Sequence, residues 1–201
     1  MTVRTIALCL MAGQLLLVSG CSGHTGQMAG QGAAVGGAAG AVGGLITGLV
    51  FGGNAAEMAA RGAVWGASSG AVTGAVAGSQ MDAAERTQRQ RAAREEYRAK
   101  VGDDVFEGTV ALANCRHDVA IGFGRTAARS KKKDHALAGL WLEAVSLGDR
   151  GDREGAYALL PDLVASDGKV ASEDAARVLI DESLARLKEI RGEYNLPREC
   201  R

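Results

Sequence analysis

Two stretches of this chain place glycine at every fourth position. Gly32, Gly36, Gly40, Gly44, Gly48 and Gly52 form the first series, and Gly62, Gly66, Gly70, Gly74 and Gly78 form the second. The residues between them are mostly Ala, Val, Leu, Ile, Phe and Trp, not the serine-rich filler of a flexible linker. On an α-helix, four-residue spacing lines one face and drifts slowly around it, and a period above 3.6 favours a right-handed crossing between two such faces. Bare glycine faces let two backbones approach closely. Each interior glycine also costs about 1 kcal/mol of helix propensity in water, so an isolated helix of this kind stays unfolded. Close helix contact, a bilayer, or both must offset that cost. The spacing therefore predicts a glycine-zipper helical hairpin over 32–80, with a polar turn at Asn54–Glu57 followed by Arg61.

Residues 32–53 and 62–78 carry no charge. Twenty-two helical residues reach about 33 Å, against about 30 Å for a hydrocarbon core. Glycine and alanine contribute little to insertion, however, and Ser68, Ser69 and Thr73 interrupt the second segment. Three readings stay open at this point: a membrane-inserted or membrane-packed zipper, a soluble zipper hairpin, and a low-complexity segment without fixed structure.

The N-terminus has secretory architecture over residues 1–20. Arg4 precedes the apolar run IALCLMAGQLLLV, and Ser19-Gly20 are small residues at the cleavage point. The stretch VSGC, Val18 to Cys21, resembles the lipobox of bacterial lipoproteins. That resemblance implies that Cys21 is acylated and becomes the first residue of the mature chain. Ser22, where Asp favours inner-membrane retention, implies outer-membrane sorting. Residues 21–31 then read as a tether. Cys9 leaves with the leader and Cys21 takes lipid, so Cys115 and Cys200 remain. In an oxidising compartment they are a natural disulfide pair, with two free thiols as the alternative.

The repeated GxxxG pair behind a lipobox resembles the glycine-zipper outer-membrane lipoproteins, the family of the rickettsial 17-kDa surface antigen, over about residues 18–80. The resemblance implies a lipid-anchored envelope protein with a structural role, its C-terminal half in the periplasm. Its glycine faces would pack and oligomerise, giving membrane lipid and further copies of the chain as partners. Some such proteins carry a peptidoglycan-binding domain after the zipper, and no motif of that kind stands in the C-terminal half here.

Charge balances at 23 basic and 23 acidic residues, so no net field attracts nucleic acid. Residues 81–101, including DAAERTQRQRAAREEYRAK, are rich in helix formers and read as a solvated connector helix. Its arginines, Arg86, Arg89, Arg91, Arg94 and Arg98, have lipid headgroups as an alternative neighbour. Residues 102–201 read as a small helical domain. Val105, Leu112, Val119 and Phe123 share one loose stripe across a first helix. Leu137, Leu140, Trp141, Ala144 and Val145 match a helical stripe closely. Gly148–Asp152 is a turn, Asp152 and Ser172 are N-caps, and Pro161 stops or kinks the helix that holds Ala156, Tyr157 and Leu160. Ala176, Ile180, Leu184, Leu187 and Tyr194 line a last helix that Gly192 and Pro197 end. The whole is all-α.

Chemistry-bearing clusters are sparse. Cys115-Arg-His117-Asp118 invites a metal or nucleophile reading, but only His24 and His135 stand as further histidines, and a disulfide removes the thiol. The stretch around Ser166-Asp-Gly-Lys-Val170 puts Leu163 and Ala165 where an EF-hand needs oxygen ligands. Lys131-Lys-Lys133 is a basic cluster that reads as a solvated loop or as a dock for phosphate-bearing lipid or an acidic partner. GDREGA after an amphipathic helix suggests a single helical pair of the tetratricopeptide kind, too little for a stack. The expectation is a non-catalytic chain without metal or cofactor, with an envelope protein as a further partner if the C-terminal helices act as an adaptor.

Overall fold

A computed structural model describes residues 24–52, 55–66 and 83–200; the leader expected at 1–20, Cys21 and the glycines at 70, 74 and 78 lie outside the described residues. The described residues form helices and turns without a strand, an all-α protein. The zipper contributes α1 (His24–Phe51) and α2 (Ala55–Gly66), and the charged segment is α3 (Ala83–Val101). The C-terminal half supplies α4 (Asp103–Ala113), α5 (His117–Ala128), α6 (Lys133–Asp149), α7 (Arg153–Tyr157), α8 (Leu160–Ser166) and α9 (Glu173–Glu193). Helix α1 begins at His24, so residues 24–31, expected as a tether, are helical.

Helix α1 has two working faces. One meets α2, and the other packs on α4, α6 and α9. Ala38, Ala39, Ala41, Val42, Ile46 and Val50 share one continuous buried cluster with Trp141, Leu142, Ile180 and Leu187. The zipper's first helix is thus part of the core of the C-terminal helices. Among the described residues no helix is long and apolar enough to cross a membrane. Val42, Ile46 and Val50, which a bilayer would have covered, are covered by protein.

The connector helix α3 is not wholly solvated. Tyr97 and Val101 are buried in the same cluster, and burial pushes the Tyr97 hydroxyl well above the usual tyrosine range. Arg98 lies 4.3 Å and Arg94 5.7 Å from the centre of the Phe106 ring, so two arginines of the helix expected to be solvated stack on an aromatic of α4.

Helix ends explain most of the remaining architecture. The first C-terminal helix breaks in two at Cys115, which adopts a left-handed φ of 58°. Arg116 N–H donates to the Ala111 carbonyl and Cys115 N–H to that of Leu112, the paired bonds of a Schellman ending. The break turns Val119 out to solvent, away from the stripe it was expected to join. The same ending recurs after α6, where Gly151 (φ 94°) takes the left-handed position, and after α9, where Asn195 (φ 56°) does so. Gly192, expected to stop α9, lies inside it. Asp152 caps α7 by accepting from Gly155 N–H at 2.8 Å, and Ser172 caps α9 by accepting from Ala175 N–H at 3.2 Å. Pro161 starts α8 rather than stopping its predecessor, a position where its missing N–H is no loss.

Candidate functional site

The glycine face of α1 meets α2 at a crossing with almost no side-chain layer. A Cβ on Gly44 would collide with the Met58 carbonyl, and one on Gly62 would meet the Gly40 carbonyl and stand 2.8 Å from Gly44 Cα. Gly40, Gly44, Gly48 and Gly62 are all buried; Gly36 is half-buried. Gly32 lies in α1 and Gly66 closes α2. Gly52, at φ 77°, ends α1, its N–H donating to Gly48 at 3.0 Å. The contact that the spacing predicted between two glycine faces therefore forms within one chain. Gly37, outside the four-residue register, faces Tyr194 at the far end of α9, and a Cβ there would strike the tyrosine ring.

A second glycine crossing joins α5 to α6. A Cβ on Gly124 would stand 2.8 Å from Glu143 N, and one on Gly139 would stand 2.7 Å from the Gly124 carbonyl. Nothing in the spacing of two isolated glycines marks this contact in advance. Arg125 fastens its edge by donating to Glu143 at 2.7 Å.

The polar centre of the C-terminal helices is Asp149, the last residue of α6. Arg191 of α9, fully enclosed at 0% exposure, donates to both Asp149 oxygens at 2.9 and 2.6 Å and to the Leu112 carbonyl at 2.7 Å. His117 Nε2 stands 2.7 Å from Asp149 Oδ2. Beside this group Cys115 and Cys200 form a disulfide, their Cα atoms 5.5 Å apart. Four chain segments thus converge where α4 ends and α5 begins.

His117, Asp149 and Cys200 present ligand atoms within 4.8 Å of one another. The donor set does not suit a cation. The Cys200 sulfur is held in the disulfide and offers no thiolate, and the Asp149 charge faces the Arg191 guanidinium. The cluster reads as a structural lock. Sequence reasoning picked out His117 but not its partner, because Asp149 and Arg191 meet only once α6 and α9 are folded.

A second polar relay ties the zipper to this body. The Trp141 indole N–H donates to Asp167 at 3.2 Å, Asp167 pairs with Lys169 at 3.1 Å, and Lys169 donates to the Val50 carbonyl at 2.5 Å. A cation at the C-terminal end of α1 complements the negative end of its dipole.

The model of the YMGG-like Gly-zipper family matches residues 1–82. That segment is a glycine zipper. The match covers residues 1–23, α1 and α2 and stops where α3 starts; it extends no likeness to the rickettsial 17-kDa antigen in particular. No curated protein and no solved structure matches the chain. A glycine zipper is consistent with a membrane-associated envelope protein.

Proposed function

We propose that this zipper protein is lipid-anchored through Cys21 at the periplasmic face of the outer membrane, with a structural or interaction role in the envelope and no catalytic one. The observation that carries this reading is the double use of α1. Its glycine face seals the zipper while its apolar face, Val42, Ile46 and Val50, completes the core of the C-terminal helices. An anchor three residues before α1 is then joined to a compact helical body and not to a loose domain on a string. The lipobox and leader supply the address.

Self-association through the Gly40 and Gly44 face requires α1 and α2 to exchange between copies, because that face is occupied by Gly62 and Met58 of the same chain. An adaptor reading, in which the C-terminal helices recruit an envelope partner, is favoured by the intrachain closure of the zipper. Mass spectrometry of the mature N-terminus with membrane fractionation tests the anchor: the expected product is a chain starting at acylated Cys21 in the outer-membrane fraction. An unmodified Cys21 in a soluble fraction overturns it. Crosslinking in native envelopes separates the two roles, since oligomers that survive Gly44→Leu do not use the zipper face.

A further inference from the structure

Phe51, the last residue of α1, is 41% exposed, the largest apolar side chain so presented among the described residues. It lines one open concavity with Lys100 from the end of α3 and with Lys132, Lys133 and His135 from the start of α6. Lys131 is exposed next to them in sequence. His135 Nε2 lies 3.1 Å from the Ala99 carbonyl and fixes the two walls together. Two acids belong to the patch: Glu96, which pairs with Lys100 at 2.7 Å, and Asp134. Lys131, Lys132 and Lys133 have no acidic partner among the described residues, so the patch keeps positive charge around an aromatic ring.

We propose that this patch docks on the surface of an anionic phospholipid bilayer. Unpaired lysines attract headgroup phosphates, and a protruding Phe among them enters the boundary between headgroups and acyl chains; that combination is the chemistry of interfacial membrane contact. A soluble anion would engage the lysines and leave Phe51 in water. The 28 residues of α1 separate this patch from the anchored end, about 42 Å along the helix axis. Held at both ends, α1 lies along the leaflet and not through it. The inference deepens the envelope reading and rests on it for the identity of the membrane, but the contact itself is testable without the anchor.

The experiment uses the mature chain from residue 21 carrying Cys21→Ser, mixed with vesicles of phosphatidylcholine alone or with about one-third phosphatidylglycerol. Binding to the anionic vesicles only, lost at high salt, is expected. Replacing Lys131, Lys132 and Lys133 together by Gln should weaken it about a hundredfold, near fivefold for each lysine. Phe51→Ser should weaken it about tenfold, the loss of one partly buried ring. Phe51→Trp should bind and show a blue-shifted emission increment on anionic vesicles. Equal binding to neutral vesicles, indifference to salt, full binding by the lysine variant, or no wild-type binding at low salt overturns the proposal. Failure of Cys21 acylation in cells leaves the vesicle result standing, so the two readings fail separately.

Discussion

Arg191 and Asp149 form a two-pronged ion pair, at 2.9 and 2.6 Å, with the guanidinium wholly out of contact with solvent. The arginine also donates to the Leu112 carbonyl, one of the acceptors at the end of α4. A buried pair of this kind adds little net stability when intact, yet removing one member leaves a charge with no water and no counter-ion. Asp149→Ala should therefore destabilise the fold by about 3–5 kcal/mol, whereas replacing both residues together by apolar ones of similar size should cost far less. Urea unfolding of the single and double variants measures the difference; equal losses would argue against a charge-burial origin.

The disulfide beside that pair closes 85 residues of chain, from Cys115 to Cys200. Loop-closure entropy alone predicts a stabilisation of about 4–5 kcal/mol. The expected result for Cys115→Ser with Cys200→Ser is a large drop in Tm that reducing agent no longer deepens. A wild-type melt unaffected by reductant would rule out this bridge as a brace.

Glycines with and without neighbours should respond oppositely to a methyl group. Gly62→Ala forces α1 and α2 apart against backbone atoms and should cost about 1–3 kcal/mol as an overpacking change. Because α1 also belongs to the main core, the loss should appear in the melting of the entire body. Gly122, inside α5, has nothing within 4 Å of the point where a methyl group would stand, so Gly122→Ala should gain about 0.5–1 kcal/mol of helix propensity. Thermal melts of both variants give the two signs directly.

The caps on α7 and α9 make separable predictions. Ser172→Ala should lower stability by about 1 kcal/mol through the orphaned Ala175 amide. The Asp152 carboxyl is held below its usual range, first by the Gly155 N–H and then by Arg150. Its folded value lies below its unfolded one, so its contribution is complete above the ordinary aspartate range and fades as pH falls through the lowered folded value. Melts between neutral and acidic pH should show a smaller acid-side loss in Asp152→Ala than in the parent. Identical curves would remove this residue from the acid response.

The elements that sequence made legible are those whose cause is local. The stripe from Leu137 to Val145 is the buried face of α6, and the hydroxyl of Ser172 and carboxylate of Asp152 cap helices where side-chain chemistry demands it. The glycine face was legible because a register of four has one physical use. What hid was nonlocal. Val42 and Ile46 would look the same whether lipid or protein covered them, and here protein does. Cys115 carries no turn chemistry, so the helix break there follows from the meeting of α4, α5 and the C-terminus. Arg191 sits among charged neighbours on an amphipathic helix and gives no hint of burial until Asp149 arrives from α6. Gly37 and Gly139 find their partners for the same reason, through folding and not through spacing.

The bond from Lys169 to the Val50 carbonyl bridges 119 positions of chain. A polypeptide delivered from its N-terminus must therefore hold α1 unfinished while everything up to α9 is still arriving. Throughout that interval its greasiest side is naked, and a long separation between contacts slows closure further. A chain cut short before α9 would be left with part of the apolar side of its oldest helix uncovered.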